Sequence, residues 1–169
     1  VVRLMQMVAD VILAVVREHR RIDGCPPDEH DGAWNHLGGV CVREDSCINI
    51  SPRHYRQLVR SVDVGVFAPY GGWMHFCGRA AWWRDVLSIP GLRGINPYQG
   101  EFYDLHSMFE TCEAARIPIV QWTKSLDRPC RERIRTGFSR IMWAEDYDAA
   151  RRLRDRLHTT GHADGEEDA

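Results

Sequence analysis

Lysine is almost absent from this chain: Lys124 is the only one among 22 basic residues, set against 24 acidic ones for a net charge of −2. A balance so near neutral offers no broad field for nucleic acid or for an anionic membrane surface. The arginine bias suits bidentate contacts to carboxylate or phosphate, but GC-rich coding is the simpler cause. Glycine-rich phosphate loops of the G-x-G-x-x-G or P-loop pattern are missing, which argues against nucleotide binding. No uncharged run is long enough to cross a bilayer. The apolar start is broken by Arg3 and Asp10 and lacks a cleavage pattern, so it does not read as a secretory signal. Cys25, Cys41, Cys47, Cys77, Cys112 and Cys130 share no repeated spacing. Cys41 and Cys112 fall on apolar strand and helix faces and read as reduced core residues, as expected of a cytosolic protein.

What the chain does have is alternation. Residues 1–20 carry Leu4, Met5, Val8, Val11, Ile12, Val15 and Val16 at helical spacing, closed by the charges of Arg17 to Arg21. Gly24, Pro26, Pro27 and Gly32 make 22–36 a loop. Beyond it, strands are expected near 38–44, 72–77, 92–96, 117–122 and 138–143. Helices are expected near 52–65, 79–88, 104–115, 128–136 and 146–158. Ser51 followed by Pro52 is a good helix start, and Asp104 and Asp127 are further caps. The last helix opens on Glu145 and Asp146 and closes on Arg151, Arg152, Arg154 and Arg156, in accord with the helix dipole. Residues 159–169 have no apolar face and read as a disordered tail. Alternating elements of this kind imply parallel βα units.

Ligands in parallel α/β folds gather at the carboxyl ends of the strands. The residues expected there are Asp45, Ser46 and Cys47, then His75 and Cys77, Asn96 and Gln99, Gln121 and Lys124, and finally Trp143 and Glu145. His75-Phe76-Cys77-Gly78 is the most telling segment. Strand side chains alternate, so His75 and Cys77 point one way with Trp73, while Met74 and Phe76 point the other. An imidazole and a thiol on one side, before a glycine turn, make half of a zinc site. Asp45 could accept hydrogen bonds or orient a ligand, and Asn96 and Gln99 suit contacts to a substrate. Trp82 or Trp83 could wall a pocket, although packing is the simpler role for at least one of them.

Several segments fall in a telling order: Glu44-Asp45-Ser46, a helix opened by Ile50-Ser51-Pro52, His75-Phe76-Cys77-Gly78, and Asn96-Pro97-Tyr98-Gln99. This order resembles the second half of the uroporphyrinogen decarboxylase superfamily over about residues 36 to 157. That superfamily also contains zinc enzymes that move methyl groups to and from corrinoid proteins. The resemblance implies a (β/α)8 barrel. A barrel needs about 250 residues, so these 169, beginning Val1-Val2-Arg3 within a helical pattern, are expected to be its C-terminal part, with five parallel βα units in an open arc. Residues 1–158 form that unit, and its open sheet edges invite self-association.

In the methyltransferase branch the resemblance implies zinc on the His75–Cys77 pair, completed by a cysteine near the end of the barrel. No Gly-Cys element follows the fifth strand here. Cys130, at a helix N-terminus that favours its thiolate, is the expected third ligand, with Cys47 second. The substrate would be a small thiol, with a corrinoid protein as partner and neither nucleic acid nor membrane involved. A decarboxylase acting on a porphyrinogen or related carboxylate is the alternative; it needs no metal, and Ser46 falls where that branch has a substrate-contacting serine. The third alternative is an inactive fragment.

Overall fold

The computed structural model describes residues 1–24, 38–122, 133–140 and 144–160. Its elements run α1 (Val2–Asp23), β1 (Val40–Arg43), α2 (Pro52–His54), α3 (Arg60–Phe67), β2 (Gly72–Phe76) and α4 (Trp83–Val86). Then come β3 (Leu92–Pro97), α5 (Leu105–Ala115), β4 (Ile119–Trp122), β5 (Phe138–Arg140) and α6 (Tyr147–Thr160). The strands form one all-parallel sheet whose spatial order, β1-β2-β3-β4-β5, is the order of the chain. The fold is therefore α/β, with helices described between β1 and β2, β2 and β3, and β3 and β4, as the alternation predicts.

Local chemistry sets the helix ends. Ser51 takes the backbone N–H of His54 on its hydroxyl and Pro52 fills the first helical position. Asp104 caps α5 by accepting the Ser107 N–H. A wider, π-helical turn over Tyr55–Val59 joins α2 to α3. The core lies between the sheet and its helices. Met74, Phe76, Ile95 and Ile119 pack against Tyr55, Val59, Phe67, Trp82, Trp83, Val86, Met108 and Phe109. Burying each of these large side chains contributes about 1.5–3 kcal/mol. Met74 and Phe76 thus face the helices, which leaves alternate residues Trp73 and His75 on the opposite face.

Backbone proximity fixes the start of the sheet. Gly72 pairs with Val40, and a Cβ on Gly72 would lie 2.0 Å from the Val40 carbonyl oxygen. One register shift between Gly72 and Trp73 sets Trp73 opposite Gly94 and so brings His75 level with Asn96. Among the described residues no helix is long and apolar enough to cross a membrane.

Several expectations are corrected. The helix expected over 79–88 contracts to Trp83–Val86, because the Ala80 N–H donates to the Tyr103 hydroxyl and not to a helical carbonyl. Residues 134–136 are not helical; the Glu113 carboxylate accepts the Arg135 and Thr136 N–H groups and draws this stretch out ahead of β5. Thr159 and Thr160, expected in the tail, belong to α6. Cys41 is exposed on β1 and is not a core residue, while Cys112 is buried as expected. The rest of the tail, most of the 22–36 loop, residues 128–132 and 141–143, Asp127 and Cys25 lie outside the described residues.

Candidate metal centre

The carboxyl ends of β1, β2 and β3 meet at His75. The β1 chain leaves the sheet as Glu44 donates its N–H to the His75 carbonyl, and the next residue turns its side chain back. Asp45 Oδ1 then accepts the Cys77 N–H at 3.1 Å and lies 3.2 Å from His75 Nε2. Its other oxygen meets the Arg43 guanidinium at 3.2 Å. Cys77 Sγ also lies 3.2 Å from His75 Nε2, inside the span of about 3 to 4 Å that one tetrahedral zinc would bridge. Donor atoms of Asp45, His75 and Cys77 all fall within 4.8 Å of one another.

On its far side the imidazole is held from the next strand. His75 Nδ1 is 2.5 Å from Asn96 Oδ1, and Asn96 Nδ2 donates to the Val120 carbonyl at 2.6 Å. Both His75 and Asn96 are buried, Cys77 is half-buried and the Asp45 side chain is 39% exposed. The cleft therefore has a rigid back wall and an accessible front, the form of a site with an open coordination position.

Electrostatics follow from this placement. Burial raises the Asp45 carboxyl, but the His75 charge outweighs it together with hydrogen bonds from Cys77 and the Arg43 charge, and the net shift is downward. Burial, then the hydrogen bond and charge of Asp45, push the Cys77 thiol up, partly offset by Arg43. This cysteine therefore favours the thiol form.

The loop after β2 is tightly bonded. Gly78 adopts φ +69°, and its N–H donates to Gln99 Oε1 at 2.5 Å while its carbonyl accepts the Tyr103 hydroxyl at 2.7 Å. Tyr103 was not among the expected residues, since no local pattern announces a contact across 25 positions.

Of the sequence-predicted site residues, the structure brings together Asp45, His75, Cys77 and Asn96. Gln99 is engaged by the Gly78 turn. Trp82 lies in the helix layer, stacked on Tyr55 at 4.5 Å and donating its indole N–H to the Cys47 carbonyl, so it packs the core and walls no pocket. Trp83 is buried there as well. Ser46 is exposed and begins the short turn Cys47–Asn49. Cys47 packs against the core, where burial and then Glu44 drive its thiol strongly upward, so it does not join the triad. Glu145 is exposed, and Cys130, Lys124 and Trp143 lie outside the described residues. The oxygen that joins His75 and Cys77 belongs to Asp45, which the sequence singled out for another role.

Protein-family models, curated proteins and solved structures give no match to this chain.

Proposed function

We propose that this chain is the C-terminal part of a uroporphyrinogen decarboxylase-like (β/α)8 barrel that acts in the cytoplasm as a zinc-dependent methyltransferase. The reading is carried by one observation: an imidazole nitrogen, a thiol sulfur and a carboxylate oxygen converge within 4.8 Å at the carboxyl end of a parallel sheet. Nitrogen, sulfur and oxygen are the donor types zinc takes, and three protein ligands leave a fourth position for substrate. His75, Cys77 and Asp45 would hold the ion. Bound there, it would lower the pKa of a thiol substrate and keep the sulfur as a thiolate.

The protein's own residues do the rest. Cys77 and Asp45 balance the two positive charges of the ion, Asn96 supports His75 from behind, and Arg43 neutralises the Asp45 oxygen that faces outward. In the transfer the thiol gives up its proton, the sulfur gains the methyl group, and a corrinoid partner protein keeps the electron pair of the broken bond. A second copy of the chain, meeting it through an open sheet edge, is the further partner we propose.

Zinc content after purification, compared across wild type, Cys77→Ser and Asp45→Asn, tests the site. One equivalent in the wild type and less than a tenth of it in Cys77→Ser is the expected result. Methyl transfer from methylcobalamin to a small thiol tests the activity. A wild type that holds no zinc, or holds it unchanged in both variants, would sink the reading.

A further inference from the structure

His75 has two ring nitrogens, and only one of them can present a lone pair to an ion while the other carries a proton. The sheet decides which. The Val120 carbonyl can only accept, so the amide atom of Asn96 that sits 2.6 Å from it must be the NH2 group. That leaves the Asn96 oxygen, itself only an acceptor, 2.5 Å from His75 Nδ1. The partner of an acceptor must donate, so Nδ1 carries a proton, and Nε2 is the nitrogen that faces Asp45 Oδ1 and Cys77 Sγ, each 3.2 Å away.

Register makes the arrangement rigid. Arg43 lies opposite His75, His75 opposite Asn96, and Ile95 opposite Ile119, so that Asn96 is level with Val120. One line of groups crosses four neighbouring strands: the β1 end, His75 on β2, Asn96 on β3, a carbonyl of β4. Asn96 has a relative exposure of 0%, so water does not compete for either of its bonds. Both ends of the amide are thus engaged within the sheet.

We infer that Asn96 is a positioning residue, anchored on the Val120 carbonyl, that accepts the Nδ1 proton of His75 and keeps Nε2 aimed between Asp45 and Cys77. The inference deepens the metal-site reading and rests on it for its consequence. Fixing the ring from behind is what the outer partners of metal-bound histidines do, and losing such a partner weakens metal binding by about 10- to 100-fold.

The test uses protein labelled with nitrogen-15 in histidine, with the His75 signals identified by a His75→Gln variant. With no metal added, the wild type should show Nδ1 protonated, its proton held by Asn96 against the competing pull of Asp45 on Nε2. Asn96→Leu, which offers no acceptor, should lose that signature. Asn96→Asp, which keeps an acceptor towards Nδ1, should retain it. In parallel, cobalt(II) titrations followed by the thiolate-to-cobalt absorption should show Asn96→Leu binding about 10- to 100-fold more weakly than wild type. A wild type with Nδ1 unprotonated overturns the inference without recourse to any variant. So does a folded Asn96→Leu that keeps both the signature and the wild-type cobalt affinity. A wild type that binds no cobalt yet shows the Nδ1 proton defeats the metal-site reading and leaves the role of Asn96 in place.

Discussion

Asp63 is the most confined carboxyl group described, 2% exposed on α3, and it accepts the Tyr55 hydroxyl at 2.5 Å. Burial first, and then the Glu44 charge, push its pKa from 3.8 up to about 8. The folded chain therefore keeps a proton that the unfolded chain releases. The stability tied to that proton is complete below about pH 4 and is lost as the pH rises through about 8. Asp63→Asn copies the protonated form: its oxygen can accept from Tyr55 and its NH2 can donate to Glu44. The variant should melt above wild type at pH 8, by about 2–4 °C for each kcal/mol regained, and should differ little from it at pH 5. Melts at the two pH values decide it, and a wild-type advantage at pH 8 would refute the account. At this scale the sequence is legible only in part. Strand parity announces that His75 and Cys77 share a side, and the structure agrees. The pairing of Tyr55 with Asp63 is hidden, because residues eight apart do not align on a regular α-helix. The wider turn at Tyr55–Val59 is what aligns them. The role of Asn96 is hidden too, since it depends on strand register.

Among the elements, the five strands are where the alternation of apolar runs and turn residues puts them, because buried parallel strands leave that trace whatever surrounds them. The stretch after β2 leaves none. Its backbone groups are taken up by Gln99 and Tyr103, more than twenty residues away, and a window of local sequence reads them as the start of a helix. The geometry of that loop can be tested at Gly78. An alanine there would hold a left-handed backbone at about 1–2 kcal/mol, with its Cβ 2.7 Å from Ile48 Cδ1. Gly78→Ala should lower the melting temperature and weaken cobalt binding together, since the strain falls on the residue after Cys77. A variant that loses stability while binding cobalt normally would show that the turn does not hold the cysteine in place.

For the molecule as a whole, α1 is the exception to a well-covered core. It packs on α3, yet Leu4, Met7, Val11 and Val15 on its outer side are 65%, 57%, 64% and 63% exposed. The apolar face of a helix is normally buried, and a continuous apolar ridge on a free surface drives association. Sedimentation should show the protein self-associating as its concentration rises. Val11→Glu with Val15→Glu should shift it towards monomer, and a wild type that stays monomeric at the highest concentrations would contradict this. The order of the sheet carries a consequence in time. Because neighbours in space are also neighbours along the chain, Asp45, His75, Cys77, Asn96 and Val120 leave the ribosome in the sequence in which they stand side by side. Synthesis need proceed only to about residue 120 before every group of the proposed metal site and its support has been made. Capture of the metal during translation could then template the pairing of β1 to β4 while β5 and α6 are still being built.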